Sequence, residues 1–387
     1  MIHTFTAEQS AVRETAAGVA RDITKTISDI DRQTGHSKEW WDAIHLMEKS
    51  GLLSLHIPKS LGGGGHDLMA VVLAEEEIAK VDGGFANIVS HEACSYLIFT
   101  NARDQALRDD CMKRMSEGNL TCIAITEPTT GADLAKMQTE ARREGDSWVI
   151  NGHKRIASLA AAAGMYLVFA ITDRSKGTRG ISAFLIHKGT PGLSTGEVDE
   201  LMGYRQLPPA DVFMKDVRVP GIQLLGEEGG GLKIFAQALN VGRLGGGTQA
   251  LGIAQGAFDL ALARSKDRHT FGKPLIEHQA LMFKLAEMQT QIETSRALVY
   301  QVARWMDTLD DITSAEVGKY CAMVKLQVSE MAMKVTIDAM QMFGAYGNYR
   351  QYHIERLLRD ARVTMLVDGP NELMKMRIGH ALSRGKA

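Results

Sequence analysis

The sequence predicts an α+β chain with a helical first third, a strand-rich middle and a C-terminal third of long helices. Apolar residues recur at three- and four-residue spacing up to about residue 120, the period of helices with one buried face. From about 121 to 230, short β-branched or alternating runs replace that period, with turn residues between them. Long helical patterns return from about 231 onward, joined by connections short enough for an antiparallel bundle. The domains expected are therefore 1–120, 121–230 and 231–387.

In order, helices are expected over 11–27, 40–50, 69–81 and 104–116, broken by His56-Ile57-Pro58 and by the glycines at 62–65. Strands are expected over 121–125, 148–151, 166–172, 181–186 and 212–214, with turns at Asn151-Gly152 and Pro191-Gly192. Short strands at such intervals suggest a β sandwich or barrel. No long helical pattern interrupts them, which argues against a doubly wound α/β sheet. The helices expected last are 251–266, 279–308, 312–343 and 371–381.

At 387 residues the chain is too long for one ordinary core. Lys plus Arg total 44 against 46 Asp plus Glu, so nothing draws the molecule as a whole to nucleic acid or to an anionic membrane. Cys94, Cys111, Cys122 and Cys321 are scattered, with no C-x-x-C pair and no metal-ligand spacing. Buried free thiols in a reducing compartment are expected, with no metal site. No signal-peptide core and no stretch of about 20 apolar residues is present, so the expected location is the cytoplasm, in soluble form. There is no G-x-G-x-x-G after a strand, no P-loop and no H-E-x-x-H, which weighs against nicotinamide and nucleotide-hydrolase chemistry.

Four segments offer chemistry, and each has a plain structural reading beside it. Residues 123–133 end a strand in a turn rich in hydroxyls, able to offer donors to a phosphate or a flat heterocycle, or to be only a turn. Arg268 to Pro274 carries a guanidinium and an aromatic ring, suited to a phosphate and a stacked ring; basic residues followed by Gly and Pro also stop helices. Gln341 to Gly347 ends a helix with two glycines, as a stop or as a close approach for a ligand. Asp368 stands between an apolar run and Gly369-Pro370, either as a turn residue or as a base whose pKa burial would raise. Glu92, beside His91, is a second carboxylate, most simply read as a solvated helix residue.

Taken together and in order, these segments resemble the acyl-CoA dehydrogenase family over nearly the whole chain. T-E-P-x-x-G-x-D stands at 126–133, W-x-I-N-G-x-K at 148–154, V-P-x-x-x-L-G-x-x-G-x-G at 219–231, Q-A-L-G-I-A-Q at 249–255 and R-x-x-F-G at 268–272. The F-G-x-x-G, E-R-x-x-R-D-A and D-G-x-x-E segments follow in family order. The resemblance implies a helical domain, a β domain and a four-helix bundle, assembled as a homotetramer. It implies FAD held by Thr126, Gly131 and Ser158, with Arg268, Phe271, Gln279, Gln341 and Gly344 reaching the partner subunit's FAD. Arg243 would sit near the acyl-CoA entrance, and Asp368 falls on the base. The implied reaction is desaturation of an acyl thioester: a carboxylate takes the α proton while the β hydride goes to flavin N5. The expected substrate is an acyl-CoA or an acyl-carrier thioester, and the expected electron acceptor is an electron-transfer flavoprotein.

Departures from the family pattern bear on the substrate. Asp368 replaces the usual Glu, Ile156-Ala157-Ser158 replaces W-I-T, Ala132 replaces a common Ser, and Leu207-Pro208-Pro209 replaces a polar run. A base shorter by one methylene leaves space for a branched or cyclic acyl group. The alternatives are a nitroalkane-oxidase-like flavin oxidase, which also uses Asp, a dehydrogenase of carrier-protein-bound acyl groups, and a non-catalytic flavin-binding paralogue.

Overall fold

Helix α1 (Ala7–Thr24) begins at a reciprocal cap between Thr6 and Gln9, and α2 (Ile27–Arg32) and α3 (Lys38–Lys49) follow it. These are the first elements of a computed structural model that describes residues 3–383. Next come α4 (Leu68–Ala79), α5 (Gly83–Phe99) and α6 (Gln105–Ser116), opened by Asp67, Asp82 and Asp104 as N-caps. Every residue of α4 is buried. Its first turn is also closed from a distance, where the Asp307 carboxylate accepts from the Leu68 and Met69 N–H groups at 2.8 and 3.0 Å.

The middle region forms β1 (Thr121–Ala124), β2 (Glu140–Glu144), β3 (Ser147–Ser158), β4 (Met165–Ile171), β5 (Ile181–His187), β6 (Leu193–Val198), β7 (Pro209–Pro220) and β8 (Leu224–Leu225). The expected sandwich or barrel is instead one open mixed sheet in the order β6-β7-β3-β2-β4-β5-β8, with β1 running parallel to β4. Alternation in β4 explains its unbroken apolar run. Met165, Leu167, Phe169 and Ile171 face the helices, while Tyr166, Val168 and Ala170 face a small core within the sheet. The Phe169 ring meets Phe235 edge-on at 5.3 Å and docks the sheet on the next helix.

That helix, α7 (Gly231–Asp267), starts 20 residues before the expected 251. Six glycines, at 242, 245, 246, 247, 252 and 256, obscure it in the sequence, since each interior glycine costs a helix about 1 kcal/mol relative to alanine. Packing requires several of them. A Cβ at Gly252 or Gly256 would strike the backbone of α4 and of Lys80, and one at Gly247 would strike Val324. A hairpin, β9 (His269–Thr270) and β10 (Lys273–Pro274), then leads to α8 (Gln279–Met306), α9 (Ala315–Phe343), α10 (Ile354–Thr364) and α11 (Asn371–Ser383). The four cysteines are buried and unpaired. No helix among the described residues is long and apolar enough to cross a membrane.

Candidate active site

Asp368 lies in the short connection between α10 and α11 with φ of 54°, followed by Gly369 at 95°. A left-handed conformation suits glycine and is tolerated by Asp better than by most residues. Two α9 side chains fix the turn. Lys325 Nζ donates to Gly369 O at 2.9 Å and Asn371 Oδ1 at 2.8 Å, while Asn371 Nδ2 donates to Ser329 Oγ at 3.0 Å. The carboxylate points at the side-chain-free face of α7. A Cβ on Gly242 would lie 3.2 Å from Asp368 Oδ1, and one on Gly246 would lie 3.6 Å from Oδ2.

Burial raises the Asp368 pKa above the ordinary aspartate value, and the charges of Arg243 and Lys325 offset part of the rise. Solvent still reaches the side chain in part, so protein atoms surround the carboxylate without sealing it. Lys325 in turn is pushed down to about 8 by burial, against the pull of Asp368.

Arg243, expected near an entrance, is 3% exposed. Its Nε faces the Asp368 carbonyl at 3.4 Å, so it braces the turn from within. Burial, with Arg377 nearby, lowers its pKa to about 10. Glu92 is not a solvated helix residue: it is buried and accepts from the Thr121 N–H at 3.0 Å and the Thr121 hydroxyl at 3.1 Å. Burial raises it to about 7, but its oxygens are occupied in capping β1.

The sequence reading missed Glu75. It is 1% exposed on α4, and burial pushes its pKa from 4.5 to about 8, with Asp368 adding to the rise. A carboxyl raised on folding binds its proton more tightly in the native state. Stability therefore falls as pH climbs from 4.5 toward 8. Glu75→Gln is expected to raise Tm more at pH 8 than at pH 5; an equal gain at both would mean that Glu75 does not carry this linkage.

The middle domain supplies a second group of residues. The turn holding Thr126 and Gly131 is tied by paired backbone bonds between Glu127 and Thr130 at 2.8 and 3.1 Å. The Glu127 carboxylate accepts from the Gln138 and Thr139 N–H groups at 2.6 and 2.9 Å and from Lys154 Nζ at 2.8 Å. Burial lowers Lys154 to about 8 despite the pair. Glu127 stays below its ordinary value even though it is buried, because it gathers two backbone donors as well as the ammonium. The Glu of one motif and the Lys of another thus pin the turn together.

Around that turn the surfaces are open. A Cβ on Gly131 would meet nothing within 4 Å, and Thr130 Oγ1 is buried without a partner. Ser158 closes β3 opposite Pro209, just beyond a bulge at which Ile156 has φ of 55° and is 60% exposed. An unpaired hydroxyl, an exposed apolar side chain and room against the backbone fit a flat, polar-edged cofactor.

The third group lies at the far end of α7. Arg268 is its exposed C-cap residue. Phe271 and Gly272 form the two-residue turn of the β9–β10 hairpin with φ of 48° and 79°, a type I′ arrangement that a bulky residue enters only under strain. Phe271 is nevertheless 96% exposed. Gln279 opens α8, while Gln341 and Gly344 end α9, with a Cβ on Gly344 meeting open space. Arg264 joins the two helix ends, its guanidinium 4.8 Å from the Tyr346 ring centroid and 5.8 Å from that of Phe343. From Gly242 to Arg268 the helix rise amounts to roughly 40 Å, so this group and Asp368 occupy opposite ends of α7.

Fold and comparisons together define a helical–β–helical oxidoreductase. Residues 6–119, 122–217 and 229–383 match the N-terminal, middle and C-terminal domains of acyl-CoA dehydrogenases. Cyclohex-1-ene-1-carbonyl-CoA dehydrogenase of Syntrophus aciditrophicus is 35% identical over 98% of this chain and 90% of its own length. Butyryl-CoA dehydrogenase of Megasphaera elsdenii superposes with a TM-score of 0.93 at 35% identity, covering 99% of this chain and all (100%) of its own. A solved chain described with the electron transferring flavoprotein of Acidaminococcus fermentans gives 0.93 at 34% identity, covering 99% of each chain. The chain belongs to the acyl-CoA dehydrogenase family.

Proposed function

We propose that this enzyme desaturates an acyl-CoA between its α and β carbons, with Asp368 as the base. The observation that carries this reading is the Asp368 carboxylate, raised by burial and aimed at the glycine face of α7. Gly242 and Gly246 leave that face without side chains, so an acyl group can lie along it beside the carboxylate. Arg243 and Lys325 hold the turn, and their charges oppose the rise in the Asp368 pKa. Thr126, Gly131 and Ser158 would hold FAD on the middle domain. Bound FAD supplies the hydride acceptor.

Arg268, Phe271, Gln279, Gln341 and Gly344 stand too far from Asp368 to serve the reactive end of the same cofactor. Their exposure supports a role toward the FAD of a second copy, within a homotetramer built as a dimer of dimers. Arg268→Ala is expected to weaken FAD retention without a matching loss of thermal stability, because a charge-assisted phosphate contact is lost. Unchanged FAD affinity with a large drop in Tm would assign Arg268 to helix capping alone.

The acyl group we favour is branched or cyclic, because a short base and two glycines widen the site; the cyclic substrate named for the Syntrophus relative points the same way. An electron-transfer flavoprotein is the acceptor that the Acidaminococcus neighbour suggests. The test is anaerobic mixing of purified, FAD-loaded protein with straight-chain, branched and cyclic acyl-CoAs and with nitroalkanes. Bleaching of the flavin by acyl-CoAs, fastest with the branched or cyclic members, is the expected result. Bleaching by nitroalkanes alone would replace this reading with an oxidase.

A further inference from the structure

Helix α4 carries three consecutive buried glutamates, and only two have cationic partners. Glu76 takes Arg296 at 3.0 Å and the Tyr300 hydroxyl at 2.5 Å; Glu77 takes Arg13 at 2.7 Å and Lys80 at 2.6 Å. Glu75 faces Ser90 of α5 and Gln249 of α7 instead. Ser90 and Gln249 lie close enough to Glu75 to oppose part of the rise in its pKa, yet Glu75 Oε1, Ser90 Oγ and Gln249 Nε2 are buried and complete no well-formed hydrogen bond. Gln249 Oε1 is already occupied, accepting from the Tyr204 hydroxyl at 2.9 Å and the Asn87 amide at 3.0 Å, so its NH₂ group faces the others as a donor.

Glycine at 245 lets Ser90 and Glu75 approach α7 closely. A Cβ on Gly245 would clash with Ser90 Oγ and sit 3.1 Å from Glu75 Oε1. The next residue, Gly246, faces Asp368. The polar trio and the base therefore share one bare stretch of α7. An acyl chain placed with its α-carbon beside Asp368 would extend along that stretch toward the trio.

We infer that Glu75, Ser90 and Gln249 form a specificity niche for an acyl group bearing a hydrogen-bond donor, a hydroxyl or an amine, beyond its β-carbon. The inference rests on the acyl-thioester reading above. A wholly apolar acyl end would leave three buried polar atoms unpaired, the condition under which a hydrogen-bonding site rejects an apolar analogue. A donor-bearing group satisfies them: its hydrogen goes to Glu75, and its lone pair, where it has one, accepts from Gln249 or Ser90. With no cation present, burial keeps Glu75 protonated near neutral pH. A hydroxyl binds that neutral acid through its carbonyl oxygen, whereas an ammonium draws out the carboxylate.

The FAD-loaded enzyme is mixed anaerobically with short acyl-CoAs that differ only by a terminal hydroxyl or amine, and flavin bleaching is timed. The wild type is expected to favour a donor-bearing acyl-CoA over its unsubstituted match by at least about tenfold in apparent second-order rate, the scale of one buried hydrogen bond. Glu75→Leu should abolish the preference. Glu75→Gln, the milder variant, should keep it for the hydroxyl and lose it for the amine, identifying which donor is native. Preference for the unsubstituted acyl-CoA, or a ratio unmoved by both variants, overturns the niche and reduces the trio to the site of a buried water only. If no acyl-CoA bleaches the flavin, the acyl-thioester reading itself fails. If unsubstituted acyl-CoAs bleach it with no preference, only the niche fails.

Discussion

Asp368→Asn is expected to keep FAD and to bind acyl-CoA while flavin reduction slows by about 1,000-fold, within the usual range for loss of a general base. The amide preserves the size and most of the polarity of the side chain but cannot accept the α proton. In the wild type, reduction should quicken as pH rises through the Asp368 pKa, because only the ionised form is a base. That midpoint should lie above 3.8, since burial raises it. Arg243 and Lys325 both oppose the rise, so Lys325→Met should carry the midpoint higher still. Asp368→Glu should lose rate with the native substrate, since a displacement of about 1 Å can cost on the order of 100-fold, yet gain on straight-chain acyl-CoAs. Rapid-mixing kinetics against pH measures all of these. Near-wild-type reduction by Asp368→Asn would remove Asp368 from the mechanism. Attention would then pass to Glu75 of α4, which faces the same stretch of α7, rather than to Glu92, whose oxygens are held by Thr121.

Lys154→Ala should destabilise the middle domain by about 3–5 kcal/mol, the range for removing one partner of a buried pair. The Lys154–Glu127 contact is 2.8 Å long and both side chains are almost wholly buried. The alanine would leave a carboxylate in the interior with only two backbone donors. It would also loosen the turn that carries Thr126 and Gly131, so FAD retention should fall with stability. The double variant Lys154→Met with Glu127→Gln should recover much of the loss, because no charge is then left unpaired. Denaturant midpoints of the three proteins, with flavin content of each, test this. A loss below about 1 kcal/mol for Lys154→Ala would place the pair among contacts that water screens.

The plan of the chain was open to reading because it is written in local periodicity. The helical spacing before residue 120, the strand-and-turn rhythm of the middle and the long C-terminal helices all reflect side chains that repeat on one face. The order of motifs also singled out Asp368, Thr126 and Arg268 as candidates. Among strands longer than two residues, β2 and β6 escaped because their residues are largely exposed or half-buried, leaving no apolar run to mark them. The first 20 residues of α7 escaped because glycine carries no helical signal of its own. The reason for those glycines, close approach to α4, α5, α9 and the Asp368 turn, lies entirely in other parts of the chain.

By itself the sequence determined the succession of elements and the chemical types gathered in each motif, since both depend on neighbours a few residues apart. Only the tertiary structure decided the environment of each charge. Glu75, Glu76 and Glu77 are identical letters on one helix. Arg296, Tyr300, Arg13 and Lys80 are brought in to Glu76 and Glu77, while Glu75 meets Ser90, Gln249 and the field of Asp368. Desolvation and pairing act over a few ångströms in space and take no account of distance along the chain. That is why Arg243 lies buried against the Asp368 turn, why Glu92 caps β1, and why the sheet remained open where short strands alone suggested closure.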